Sequence, residues 1–126
     1  MEILASRVLL RTRDPQRLQA FYRDRLGLAV AREYPGGMVF HAGNGLIEVP
    51  GHMSEDATSS AGAVLWLQVR DMGAAEKELR EAGVDIVREA RTEPWGLIEM
   101  HVADPDHRTI IVVEIPADHP LRKDTR

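Results

Sequence analysis

Two stretches of this chain carry the same signals in the same order. Arg7–Leu28 reads as a strand, then Arg13-Asp14-Pro15, then an amphipathic helix closing at Leu26-Gly27-Leu28. Val64–Val84 reads as a strand, then Arg70-Asp71-Met72, then a second such helix closing at Ala82-Gly83-Val84. Asp14 precedes Gly27 by 13 residues, and Asp71 precedes Gly83 by 12. A repeat of this size builds a chain from two like units. Each half has about 55 residues, near the lower limit for an independent hydrophobic core, so the halves must pair within or between chains. Two like units that curl toward each other make a cup, the natural seat of a small molecule.

The charge balance narrows the partners. A net charge of −4 over 126 residues argues against nucleic acid, which needs a basic face. No run approaches the roughly 20 apolar residues of a membrane span. The start, Met1-Glu2-Ile3-Leu4-Ala5-Ser6-Arg7, lacks the basic opening and apolar stretch of a signal peptide, so a cytoplasmic protein is expected. With no cysteine, disulfides, thiolate metal sites and a Cys nucleophile are excluded.

Alternation predicts a first strand over Ser6–Thr12, with Val8 and Leu10 on one face and Arg7, Leu9 and Arg11 on the other. Asp14 suits the N-cap and Pro15 the first helical turn, while Gly27 suits the stop. Short strands follow at Ala29–Tyr34, Met38–Ala42 and Leu46–Pro50, separated by the turn residues Pro35-Gly36-Gly37 and Gly43-Asn44-Gly45. The second unit opens with Ala63–Val69, and Asp71 caps a helix that Gly83 ends. Strands are expected near Asp85–Glu89, Ile98–Ala103 and Thr109–Ile115. The expectation is therefore an α+β fold of two βαβββ modules, residues 1–53 and 63–116. A linker spans 54–62, and a polar tail spans 117–126. The stretch 52–62 has no apolar period and is either a plain loop or a lid.

Phe21-Tyr22-Arg23-Asp24-Arg25-Leu26-Gly27-Leu28 resembles the FYxxxLGL signature of the vicinal oxygen chelate superfamily. That group holds glyoxalase I, extradiol dioxygenases, methylmalonyl-CoA epimerase, fosfomycin resistance enzymes and bleomycin resistance proteins. Asp104-Pro105-Asp106-His107 resembles its DPDG turn, and Trp95-Gly96 resembles the WG pair of the bleomycin resistance branch. The resemblance covers roughly Arg7–Ile115. It implies paired βαβββ modules around a cup, often assembled as a homodimer. It does not select a reaction, since the group spans many chemistries.

The resemblance also says where a metal would sit: one ligand on each of four cup strands. The matching positions are Arg7, Glu48, Val64 and Ile111. Val64 and Ile111 offer no lone pair, and Arg7 carries a fixed positive charge. A divalent ion wants at least three protein donors, so no metal and no cofactor is expected at these positions. Glu48 is the candidate catalytic base or ligand anchor, but it also has an ion-pair partner in Arg7, and a carboxylate beside Arg is a weak base. Arg7 and Arg11 share strand parity and suit a ligand carboxylate or phosphate. Trp66 and Trp95 suit stacking on a planar ligand, with core or loop packing as the alternative. Gln68 and Ile111 complete the expected ligand-binding set. His101 precedes the DPDH turn and has no settled facing.

These readings give a metal-free small-molecule binder of the bleomycin resistance type. Its ligand is expected to be partly aromatic or anionic, and the assembly a homodimer with no nucleic-acid or membrane partner. The alternative is a glyoxalase- or dioxygenase-type enzyme using a divalent metal or Glu48 as base. A third reading is a dimeric module whose cup is filled by side chains.

Overall fold

In the computed structural model, residues 1–52 and 63–121 are described; the expected linker 54–62, the lid reading and the last residues of the tail lie outside them. The first module runs β1 (Val8–Leu9), α1 (Pro15–Ala20), β2 (Val30–Tyr34), β3 (Gly37–Ala42) and β4 (Gly45–Val49). The second runs β5 (Leu65–Gln68), α2 (Met72–Glu81), β6 (Asp85–Thr92), β7 (Ile98–Ala103) and β8 (Thr109–Glu114). Each module folds into one four-stranded sheet, with orders β1-β4-β3-β2 and β5-β8-β7-β6. The first strand of each pairs in parallel with the last, Leu9 beside Glu48 and Trp66 beside Ile111. The remaining pairings are antiparallel. This is the expected α+β fold of two βαβββ modules.

The repeat is built by repeated capping chemistry. The Asp14 carboxylate accepts from the Arg17 backbone N–H, and the Asp71 carboxylate accepts from that of Ala74, each at 3.1 Å. Each satisfies one of the N–H groups that a helix start leaves unpaired. Gly27 and Gly83 take φ of 78° and 75°, left-handed angles that would strain an L side chain. Beyond Ala20 the first helix widens into a π-helical turn, Phe21–Arg25, closed by the Leu26 N–H on the Phe21 carbonyl at 2.9 Å. Phe21 and Tyr22 are both buried there.

One apolar cluster runs through both modules. Leu18, Tyr22, Phe40, Ile47 and Val49 of the first join Met72, Leu79, Met100, Val102 and Ile110 of the second. The strand residues among them occupy the helix-bearing faces of the sheets, as alternation requires, and Leu18, Tyr22, Met72 and Leu79 meet them from the helices. Leu10 is buried there as expected, but Val8 is 48% exposed. β1 is an edge strand with only β4 beside it, so a flank of Val8 stays open. β1 is also shorter than the expected Ser6–Thr12, although the Leu10 N–H still reaches the Glu48 carbonyl at 2.9 Å. β6 runs three residues past the expected Glu89, with register shifts at Ile86/Arg88 and Arg88/Arg91. Such irregularities re-aim side chains, and here they lie beside the acidic side chains described below.

A buried polar latch ties the modules together. Asp104, 3% exposed, accepts the Tyr22 hydroxyl at 2.9 Å and the Arg108 guanidinium. Its other oxygen accepts the backbone N–H groups of Asp106 and Arg108 at 2.8 and 3.0 Å. Arg108 also donates to the Arg11 carbonyl at 2.8 Å. The Asp104–His107 turn therefore does structural work across the module boundary, with His107 at φ 62° where a glycine is expected from the resemblance. Burial, then the Asp104 charge, push the Tyr22 phenol far above its ordinary pKa, so it stays a donor.

Candidate functional site

The sheet faces turned away from the helices carry the polar chemistry. In the first module, Arg7 donates to Glu48 at 2.9 Å, the expected ion pair. Glu48 is buried on β4, and its second oxygen accepts the Tyr34 hydroxyl from β2. Arg32 lies 5.0 Å over the Tyr34 ring, a cation–π contact. The Tyr34 bond, then the Arg7 bond and charge, outweigh desolvation and hold Glu48 below the usual carboxylate range. Burial and the Glu48 bond push Tyr34 up to about 12. Glu48 is therefore an ionised acceptor with both oxygens engaged. Tyr34 was missed in the sequence; only the β2–β3–β4 register, Tyr34 to Gly37 and Met38 to Val49, brings it near.

The same arrangement bears on the four-ligand metal position. Arg7 occupies the one carboxylate that the position retains, and Val64 and Ile111 have no donor atom. The residues present do not fit a metal there.

In the second module, Trp66 and Ile111 are direct neighbours across the β5–β8 pairing, with Gln68 beside Val113. The β7–β8 register places His101 opposite Ile111 and Glu99 opposite Val113, so both share that face. Glu99 is buried and accepts the Trp95 indole N–H at 2.9 Å. Trp95 itself is exposed on the turn joining β6 to β7, which the Glu93 N–H closes on the Leu97 carbonyl at 2.8 Å. Glu93 is also buried, with Arg88 at 2.6 Å and Arg91 at 3.5 Å. Burial works to raise Glu93, but the Arg88 bond and the charges of both arginines hold it low. Burial, then the Arg88 charge, hold the His101 imidazole below its usual range. One ligand atom each from Glu93, Glu99 and His101 lie within 4.8 Å of one another. Alternation in β7 alone left His101 without a facing; the β8 partner supplies it.

The expected ligand set is thus divided. Arg7 and Glu48 stand together on the first sheet, and Trp66, Gln68 and Ile111 stand together on the second. Trp95 joins Glu99 instead, and Arg11 is exposed, with its carbonyl taken by Arg108. Among the described residues no strand pairing links the two sheets. A cleft of about 830 Å³ opens at the free edge of β5, with Leu26, Leu28, Trp66, Gln68 and Leu79 among its walls. It includes helix-facing side chains and neither Glu48 nor Glu99. It lies between α2 and the first module's Gly43–Asn44 turn and takes in Trp66 and Gln68 of the expected ligand set.

Fold and sequence together place the chain in a known group. The family described as Glyoxalase/Bleomycin resistance protein/Dioxygenase superfamily matches residues 5–112, and the chain belongs to it. No curated protein matches the sequence. Among solved structures, a protein of unknown function from Agrobacterium tumefaciens is 24% identical, with a TM-score of 0.73, over 92% of this chain and 95% of that one. A superfamily member from Sphaerobacter thermophilus is 22% identical, with a TM-score of 0.74, over 90% and 98%. A lactoylglutathione lyase from Agrobacterium tumefaciens is 18% identical, with a TM-score of 0.68, over 90% and 96%. At these identities the likeness concerns the fold. Among the described residues, no helix is long and apolar enough to cross a membrane.

Proposed function

We propose that this chain binds a small, partly aromatic or anionic molecule in the superfamily cup, with no metal at the four family positions. The observation that carries the reading is the Arg7–Glu48–Tyr34 cluster. It spends the one family carboxylate on a guanidinium and a phenol, which leaves a poor base and a poor metal ligand. Arg7 keeps 39% of its side chain exposed and offers further donors to a ligand carboxylate. Trp66, 48% exposed, offers a planar face.

The test is a thermal-shift screen of aromatic carboxylates and phosphates. A ligand at about 100 times its Kd stabilises the native state by about 2.7 kcal/mol. In the binder, Glu48→Gln changes that affinity and no compound is consumed. Turnover of a screened compound by the wild type, lost in Glu48→Gln, would instead establish the enzyme reading. A shift identical in wild type, Glu48→Gln and Arg7→Met would remove this site from the account.

The same reading includes a homodimer. β1 and β5 are edge strands, and Leu9, Val64 and Trp66 beside them are 41%, 51% and 48% exposed. Unpaired edges with apolar side chains favour pairing with another chain. Sedimentation at micromolar concentration is expected to give a dimer; a lone monomer boundary would refute it.

A further inference from the structure

We propose that Glu93, Glu99 and His101 form a binding site for one divalent transition-metal ion of the zinc class, on β7 and the turn before it. The site is separate from the four family positions. Its donors come from the second module alone, Glu93 from the β6–β7 turn and Glu99 and His101 from β7, whereas the family positions lie just before β1, on β4, just before β5 and on β8.

The donor set is one imidazole nitrogen and two carboxylates, which suits zinc, cobalt or nickel better than calcium or magnesium. Bond lengths of about 2.0–2.1 Å put tetrahedral ligands about 3.3 Å apart. The present separations of 4.8 Å or less need only a modest closure by carboxylate rotation. One ligand is already held in place, because the Trp95 indole N–H donates to Glu99 Oε2 and orients its carboxylate. Glu99 is 6% exposed, and among the described residues that indole is its one side-chain hydrogen-bond partner. Among the described residues no cation pairs with its carboxylate, so an added cation meets no competitor at Glu99 itself.

The competing cations are Arg88 and Arg91. Arg88 does not clamp Glu93 with both prongs: one terminal nitrogen serves Glu93 Oε2 and the Glu99 carbonyl, at 2.6 and 2.8 Å, while Nε is buried without an acceptor. Arg91 reaches Glu93 Oε1 at 3.5 Å from a side chain that is 62% exposed. It can swing into water when a metal arrives. The two arginines keep the empty site neutral and moderate the affinity.

Chelator-treated full-length protein, titrated with Co²⁺ alone, tests this. The expected result is one ion per chain, with visible d–d absorption and quenching of Trp95 emission in a Trp66→Phe background. His101→Ala and Glu99→Gln should each weaken binding by about tenfold or more. Arg91→Gln, on an exposed side chain, should tighten it, an effect that misfolding cannot mimic. Glu48→Gln should leave it unchanged. The proposal is overturned by no saturable binding, by binding that survives both His101→Ala and Glu99→Gln, by loss in Glu48→Gln, or by an Arg91→Gln affinity no tighter than wild type.

Discussion

Asp104→Ala is expected to cost about 3–5 kcal/mol of unfolding free energy, the range for removing one partner of a buried ion pair. Four donors lose their acceptor at once. Arg108, 5% exposed, keeps its charge in a dry site where, among the described residues, the Arg11 carbonyl is the acceptor left to its side chain. The Tyr22 hydroxyl, fully buried, has no other acceptor among its hydrogen bonds. The backbone N–H groups of Asp106 and Arg108 lose the oxygen that shapes the turn. Tyr22→Phe should cost less, about 1–3 kcal/mol, because Asp104 and Arg108 remain paired. Urea unfolding of both variants at unchanged m-value measures the difference. A cost below about 1 kcal/mol for Asp104→Ala would show that the latch does not hold the modules together.

That latch illustrates what can and cannot be read along a chain. The capping aspartates and the stopping glycines act within a few residues, so Asp14, Asp71, Gly27 and Gly83 are legible one by one. The Arg7–Glu48 pair is legible because two facts suffice: strand parity and opposite charge. Tyr22 and Asp104 lie 82 residues apart, and nothing in either segment announces the other. The Asp-Pro-Asp-His sequence marks a turn, but its partner depends on how the modules pack. Tyr34 meets Glu48 only through two hairpin registers. The group around Glu93 depends on an irregular β6 and a tight turn, which shift the period of two that sequence reading relies on. Local chemistry was legible; contacts set by register or module docking were not.

The same logic makes Phe40 the apolar residue whose loss should be felt furthest. Phe40→Ala is expected to cost about 3–5 kcal/mol, the range for emptying a buried aromatic site. Phe40 is fully buried on β3, opposite Ile47 of β4, and its ring lies 6.2 Å from that of Tyr22. Tyr22 in turn meets Phe21 edge-on at 5.1 Å, so the cavity would open beneath the element that carries the latch. Phe40→Leu keeps most of the volume and should cost under about 1.5 kcal/mol. Because Phe40 and Tyr22 touch, the costs of Phe40→Ala and Tyr22→Phe should not add. The consequence reaches the cup. Val39 and His41 flank Phe40 on the opposite face of β3, and Val39 sits in register with Glu48. A β3 that sinks into the cavity displaces the strand beside Glu48, so Phe40→Ala should weaken ligand binding as well as stability. Denaturant unfolding and ligand titration on the same variant check both. A destabilised Phe40→Ala that binds its ligand as tightly as wild type would show that the cup floor is held by β4 and its Arg7–Glu48–Tyr34 contacts, not by the packing beneath it.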